Sequence, residues 1–258
     1  MKILFPVAAA LAAACITTAP AVARASKTPT GFILKSLKAN GAAYPYAVYV
    51  PRNYDSSKKW PLILFLHGSG ESGADGLKMC QVGIGSAIQM NAEKWPFIVV
   101  FPQKPNIPDQ WEVHEAAVMA MVAQARKDYN VDGSRLYLTG LSQGGHGSWV
   151  IGARHADLWA AVAPICGYGM ERRADANNPP KETDADLGRA LKDTPVWAFH
   201  GLADTVVDPQ QTKDLVAAVE AAGGRPKATY YPGVNHDSWD KAYHDEDLGA
   251  WFLSHSRG

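Results

Sequence analysis

Cysteines, blocks of like charge, long apolar runs and metal-ligand spacings are all scarce in this sequence, and each scarcity excludes something. Three cysteines in 258 residues, Cys15, Cys80 and Cys166, give no disulfide framework to read. Lys and Arg number 25 against 25 Asp and Glu, for a formal net charge of zero. No Lys/Arg block or basic stripe stands out, which argues against a nucleic-acid partner. The histidines and acids show neither H-x-x-x-H nor cysteine-pair spacing, so no metal site is expected, and the chemistry argued below needs no cofactor. Internal repeats and an interdomain linker are also missing. What remains is ordinary globular composition, 47% hydrophobic and 19% charged, at a length suited to one sizeable core.

The N-terminus carries the first positive signal. "MKILFPVAAALAAACITTAPAVARASK" places Lys2 before an apolar stretch from Ile3 to about Ala14, followed by small residues. Ala21-Val22-Ala23 and Ala23-Arg24-Ala25 both fit an A-x-A cleavage site, so residues 1–25 read as a secretory signal peptide and 26–258 as one domain. The apolar stretch is well short of the roughly 20 residues that span a bilayer. A secreted or periplasmic location follows, with lipoprotein processing at Cys15 as the minority reading because the leucine of "LAAAC" lies one place too far upstream. Cleavage after Ala25 would remove Cys15, Lys2 and Arg24. An export compartment permits a bond between Cys80 and Cys166 but does not require one; in the apolar "AVAPICG", Cys166 reads as a buried thiol.

Further along, β-like runs alternate with helical patterns. "GFILKSL" and "YPYAVYVP" suggest paired antiparallel strands. "PLILFLHG", "FIVVFPQ", "SRLYLTG", "WAAVAPICG", "TPVWAFHG" and "RPKATYYPG" have buried-strand length. Helical spacing marks "EVHEAAVMAMVAQARKDY", "GGHGSWVIGARHA", "PQQTKDLVAAVEAAG" and a final "HDEDLGAWFLSHS". Such alternation predicts an α/β fold, a mostly parallel sheet with helices on both faces. The stretch from about Gly169 to Asp193 breaks the rhythm. It is polar and proline-interrupted, with a short helix expected near "LGRALKD", and it reads equally as a solvated loop or as an active-site rim.

The chemistry concentrates at Gly140-Leu141-Ser142-Gln143-Gly144. A serine hydroxyl is a weak nucleophile that needs a base, an orienter for that base and donors for the oxyanion. Flanking glycines permit a sharp strand-to-helix turn that exposes the serine, and the sequence supplies a strand before it and a helix after it. The base and acid should then follow in the order Ser, acid, His. His236, in the turn-rich "YYPGVNHDSW" after a strand, has the position a base needs; His244, near the start of the last helix, is the rival, and His200 in "WAFHG" reads as packing. Asp204 in "FHGLADTVVDP" lies nearer the strand end than Asp208, which precedes Pro209 as a helix N-cap would. The Gln143 N–H supplies one oxyanion donor, and the loop "LFLHGSGESG" the other through Ser69, with Gly70 as the fallback and Glu71 as an anchor of the loop or an exposed carboxylate. Asp237 and Asp240 read as loop structure beside His236.

"LHGSGESG", "GLSQGGHG", "PVWAFHGLADTVV" and "NHDSWDKAY" together resemble the α/β-hydrolases. The resemblance is to the branch of carboxylesterases, phospholipase/carboxylesterases, dienelactone-hydrolase-like enzymes and polyhydroxybutyrate-depolymerase-like secreted esterases, and it spans nearly all of the chain after residue 25. It implies a Ser142–His236–Asp204 triad acting on a small or polymer-linked ester, and Trp111 as a wall of the substrate cleft, beside the alternative that this tryptophan only packs. The insertion from Gly169 departs from the branch, so its substrate specificity does not carry over. The expected activity is carboxylic ester hydrolysis through an acyl-enzyme; a serine peptidase for short peptides and a non-catalytic binding protein on the same fold are the alternatives.

Overall fold

A computed structural model describes residues 28–39, 41–170, 172 and 180–258. The expected signal peptide with Cys15, and residues 171 and 173–179 of the polar excursion, lie outside the described residues. An eight-stranded sheet organises the rest, in the order β1-β2-β4-β3-β5-β6-β7-β8. β1 (Gly31–Ala39) and β2 (Ala42–Val50) form the expected hairpin, and β2 runs antiparallel to β4 (Ile98–Pro102). From β4 onward the pairing is parallel, through β3 (Trp60–Leu66), β5 (Val131–Leu141), β6 (Ala161–Ile165), β7 (Trp197–Gly201) and β8 (Lys227–Tyr231).

The central strands read as continuous apolar runs because both faces are covered. Side chains alternate across a strand, so Leu62, Leu64 and Leu66 of β3 enter one core while Ile63 and Phe65 enter the other. Helices α2 (Glu115–Asp128), α3 (Gln143–Arg154), α4 (Asp184–Leu191) and α5 (Pro209–Ala221) contribute to the first core. The second is closed by α1 (Ile84–Met90), α6 (Ser238–His244) and α7 (Leu248–Leu253). The final helix expected from "HDEDLGAWFLSHS" is confined to α7, and α6, which ends at His244, precedes it as a separate helix with no counterpart in the sequence reading. Asp245 and Glu246 both return their N–H groups to the Lys241 carbonyl, which ends α6 before Asp247.

Within the excursion, α4 begins earlier than its apolar pattern suggests. Thr183 and Asp186 form a reciprocal capping box at its start, which satisfies two helix-end donors at once. Asp208 caps α5 by accepting from the Gln210 N–H at 2.9 Å, with Pro209 in the first turn, as its sequence context indicates. Cys80 and Cys166 are both buried and unpaired. Burial pushes both thiols upward, Cys80 to about 12, so they behave as small apolar groups.

Candidate active site

The parallel strands aim their C-terminal ends at one edge, where loops after β3, β4, β5, β6, β7 and β8 converge. Ser142 occupies the turn between β5 and α3 with φ 55° and ψ −115°, a left-handed backbone that a residue with a Cβ adopts only under constraint. Packing supplies the constraint. A Cβ on Gly144 would lie 1.8 Å from the Leu66 carbonyl oxygen, and one on Gly140 would lie 2.4 Å from the Gly144 oxygen. Only glycine lets α3 leave the sheet this closely, and that close departure lifts Ser142 above the strand ends. Its N–H donates to Ile165 O at 3.0 Å.

The Ser142 hydroxyl lies 2.9 Å from His236 Nε2, and His236 Nδ1 lies 2.6 Å from Asp204 Oδ2. A carboxylate only accepts, so the imidazole carries its proton on Nδ1 and Nε2 is free to take the serine proton. Asp204 comes from the loop after β7 and His236 from the loop after β8, which are tied by the Ala203 N–H on Val234 O (2.9 Å) and the Thr205 N–H on Asn235 Oδ1 (3.1 Å). Asp204 Oδ1 accepts from the Val206 and Val207 N–H groups at 2.8 and 2.9 Å. Burial pulls this carboxyl upward, but the His236 bond and those two N–H groups outweigh burial and hold it below the usual carboxylate range. His244, the alternative base, instead meets Ser86 Oγ at 3.1 Å, away from Ser142.

His200, which reads from sequence as packing, is a further partner of the acid. It is fully buried, with Nε2 at 3.1 Å from both Asp204 Oδ2 and Val207 O and Nδ1 at 2.7 Å from the Thr212 hydroxyl. Two acceptors at Nε2 place its proton there. Burial depresses its basicity against the pull of the Val207 carbonyl and Asp204, so it stays neutral. Asp204 thus receives four hydrogen bonds.

Ser69 and Gln143 line the same depression as Ser142, about 260 Å³ in volume, together with Tyr168, Arg172 and Val206. The Gln143 N–H opens α3 and points out of the helix, where the peptide dipoles favour negative charge. Arg172 is exposed, donates to Val206 O at 2.9 Å and lies over the Tyr168 ring at 4.8 Å. Tyr168 and Arg172 belong to the loop after β6, and no motif marks them in the sequence. Glu71 anchors its loop through its backbone, since Gln103 Nε2 donates to the Glu71 carbonyl at 2.9 Å.

Trp111 requires a correction. Its side chain is fully buried, packs edge-on against His67 with ring centroids 4.8 Å apart, and donates Nε1–H to His67 O at 3.0 Å. A group sealed from solvent cannot wall a cleft; Trp111 instead supports the Ser69 loop from beneath. Among the described residues no group of three or more His, Cys, Asp or Glu could hold a metal ion. Among the same residues, no helix is long and apolar enough to cross a membrane.

Feruloyl esterase B of Neurospora crassa is 27% identical over 195 residues, covering 63% of this chain and 64% of that protein. Acetylxylan esterase A of Emericella nidulans is 24% identical over 246 residues, covering 80% and 73% of the two chains. This chain thus spans just under two thirds of the length of the Neurospora protein. A thermostable esterase of known structure superposes with a TM-score of 0.75 at 28% identity, over 88% of this chain and 63% of that one. The eight-stranded sheet with Ser142 on its strand-to-helix turn is an α/β-hydrolase fold. Residues 107–246, more than half of the chain and including Ser142, Asp204 and His236, match the dienelactone hydrolase family, and the chain belongs to that family.

Proposed function

We propose that the protein is a serine hydrolase of carboxylic esters working through an acyl-enzyme. Ser142 Oγ attacks the ester carbonyl while its proton passes to His236 Nε2. The tetrahedral oxyanion takes hydrogen bonds from the Ser69 and Gln143 N–H groups. Collapse expels the alcohol, which receives the proton from His236, and water repeats the sequence to release the acid. Asp204 holds the imidazole tautomer and stabilises the imidazolium. The observation that carries the reading is the hydrogen-bonded chain from Ser142 through His236 to Asp204 beneath an open depression.

The feruloyl and acetylxylan esterases among its relatives favour acyl groups borne on plant cell-wall polysaccharide as the natural substrate. A depression of about 260 Å³ is smaller than the pockets that engulf drug-sized ligands. It suits a short acyl group whose large alcohol stays outside. The sequence of residues 1–25 supports export, which would bring the enzyme to such a polymer. Hydrolysis of p-nitrophenyl esters from acetate to octanoate, by the protein and by Ser142→Ala, tests the reading. Rates should fall with chain length, and Ser142→Ala should lower kcat by roughly 10⁴- to 10⁶-fold. Near-normal turnover by the variant would remove Ser142 as nucleophile.

A further inference from the structure

Lys104 lies two residues beyond the end of β4 and is fully buried. Its ammonium donates to Ser72 Oγ at 2.7 Å, Asn106 O at 2.8 Å and Ile107 O at 3.2 Å. Among the described residues no carboxylate lies within ion-pairing distance of it. A buried cation satisfied only by neutral oxygens is costly, and a stability argument gives no reason for one here. Its three acceptors suggest what the charge does. Ser72 closes the turn that starts at Ser69, its N–H meeting Ser69 O at 3.3 Å. Ile107 O also accepts from Gln143 Nε2 at 3.0 Å. One ammonium therefore grips both the loop that carries Ser69 and the carbonyl that holds the side chain of Gln143. The Lys104 N–H, meanwhile, donates to His67 Nε2 at 3.2 Å, so the backbone joins the same loop.

We infer that Lys104 is a positioning residue for the oxyanion site, fixing the Ser69 and Gln143 donors relative to each other and lending positive charge behind them. The inference rests on the esterase reading above. Preorganised donors stabilise a transition state only when they need not move as charge develops, and small misplacements of such groups are expensive. Lys104 faces His67 and Glu71 on the side of the Ser69 loop and Asp109 in its own loop before α2. Burial lowers its ammonium from 10.5 to about 8, against the opposing pull of Asp109 and Glu71. The clamp is then protonated below pH about 8 and lost as pH rises through that value.

The test measures p-nitrophenyl acetate hydrolysis from pH 6 to 10 by the wild type, Ser142→Ala, Lys104→Met and Ser72→Ala, each well below its Tm. Inhibition by 1,1,1-trifluoroacetone is measured in parallel. Addition of Ser142 Oγ to that ketone transfers the serine proton to His236 and leaves a tetrahedral oxyanion, so its affinity reads the oxyanion site directly. Lys104→Met should lose roughly 10- to 100-fold in kcat with KM within twofold, and trifluoroacetone should bind more weakly by a similar factor. Ser72→Ala should show a smaller loss in both. The wild-type kcat should decline above pH about 8, a decline that Lys104→Met lacks. A folded Lys104→Met with unchanged kcat and ketone affinity, or a change in KM alone, overturns the inference. If Lys104→Met does not fold, wild-type kcat and ketone affinity in Ser72→Ala overturn it. A wild type no more active than Ser142→Ala overturns the esterase reading and this one together, whereas an active wild type leaves only the role of Lys104 at stake in the two remaining variants.

Discussion

The two sides of the site are held by different forces. On the Ser142 side, position is set by exclusion: Gly140 and Gly144 stand where any Cβ would strike backbone, and the serine is lifted by the packing of α3 against β3 and β5. On the Asp204–His236 side, position is set by attraction, through four hydrogen bonds onto one carboxylate and two loops laced by Asn235. Each side is therefore vulnerable to a different kind of change. A steric scaffold fails through added volume and is indifferent to charge. A polar one tolerates changes of volume better than the loss or reversal of a donor.

The largest expected effect falls on the steric side. Gly144→Ala would place a methyl 1.8 Å from the Leu66 oxygen, and both partners are backbone, so neither can swing aside. The substitution should destabilise the fold by more than about 4 kcal/mol, the range reserved for forced steric conflict in a core. Urea midpoints of the purified variant, or its absence from the soluble fraction, check this. A stable Gly144→Ala would mean that α3 can slide away from β3 and that exclusion does not set the position of Ser142.

On the polar side the fold should survive and the chemistry should not. In Asp204→Asn, the N–H groups of Val206 and Val207 claim the amide oxygen, which turns the NH₂ toward His236 Nδ1. That nitrogen must then accept, its proton moves to Nε2, and Nε2 can no longer receive the serine proton. His200 can adapt by exchanging its own tautomer, because Thr212 can redirect its hydroxyl to Gly167 O at 3.3 Å. We expect kcat to drop roughly 10⁴-fold with a near-native Tm, as for an acid whose replacement fixes the wrong tautomer. Activity within tenfold of wild type would show that Asp204 is not the orienting acid.

The same contrast explains what can be read from the sequence. The steric side announces itself locally: glycines flank Ser142 at fixed offsets, between an apolar run and a helical one. Strand-end loops also expose Asp204 and His236, since each follows a β-like run within a few residues. Lys104 stays hidden because its significance lies in a contact across 32 residues, which no local spacing encodes, and His200 because only its burial beside Asp204 and Thr212 separates a partner of the acid from a packing histidine. Trp111 misleads for a related reason. An aromatic residue near a loop serves a cleft or a core equally well on paper, and only three-dimensional packing under Gly147 and His67 decides it. Helix α6 escapes the sequence because its seven residues, "SWDKAYH", are too few to display a helical apolar period.

Within one loop, a catalytic and a capping carboxylate stand side by side. Asp204 and Asp208 are four residues apart in "ADTVVDP", and both accept backbone N–H groups from the residues that follow. Asp204 is buried and shared by two histidines, while Asp208 is exposed and serves only the start of α5 through Gln210. Asp208→Ala removes one capping bond, worth about 1 kcal/mol. In a domain of this size that corresponds to a Tm decrease of roughly 2–4 °C. Thermal unfolding and p-nitrophenyl acetate kinetics on the same sample should show that shift with kcat unchanged. A large fall in kcat from Asp208→Ala would mean that the α5 cap also sets the carboxylate of Asp204, through the Val206 and Val207 N–H groups between them, and the loop would then act as one rigid unit instead of a catalytic half and a structural half.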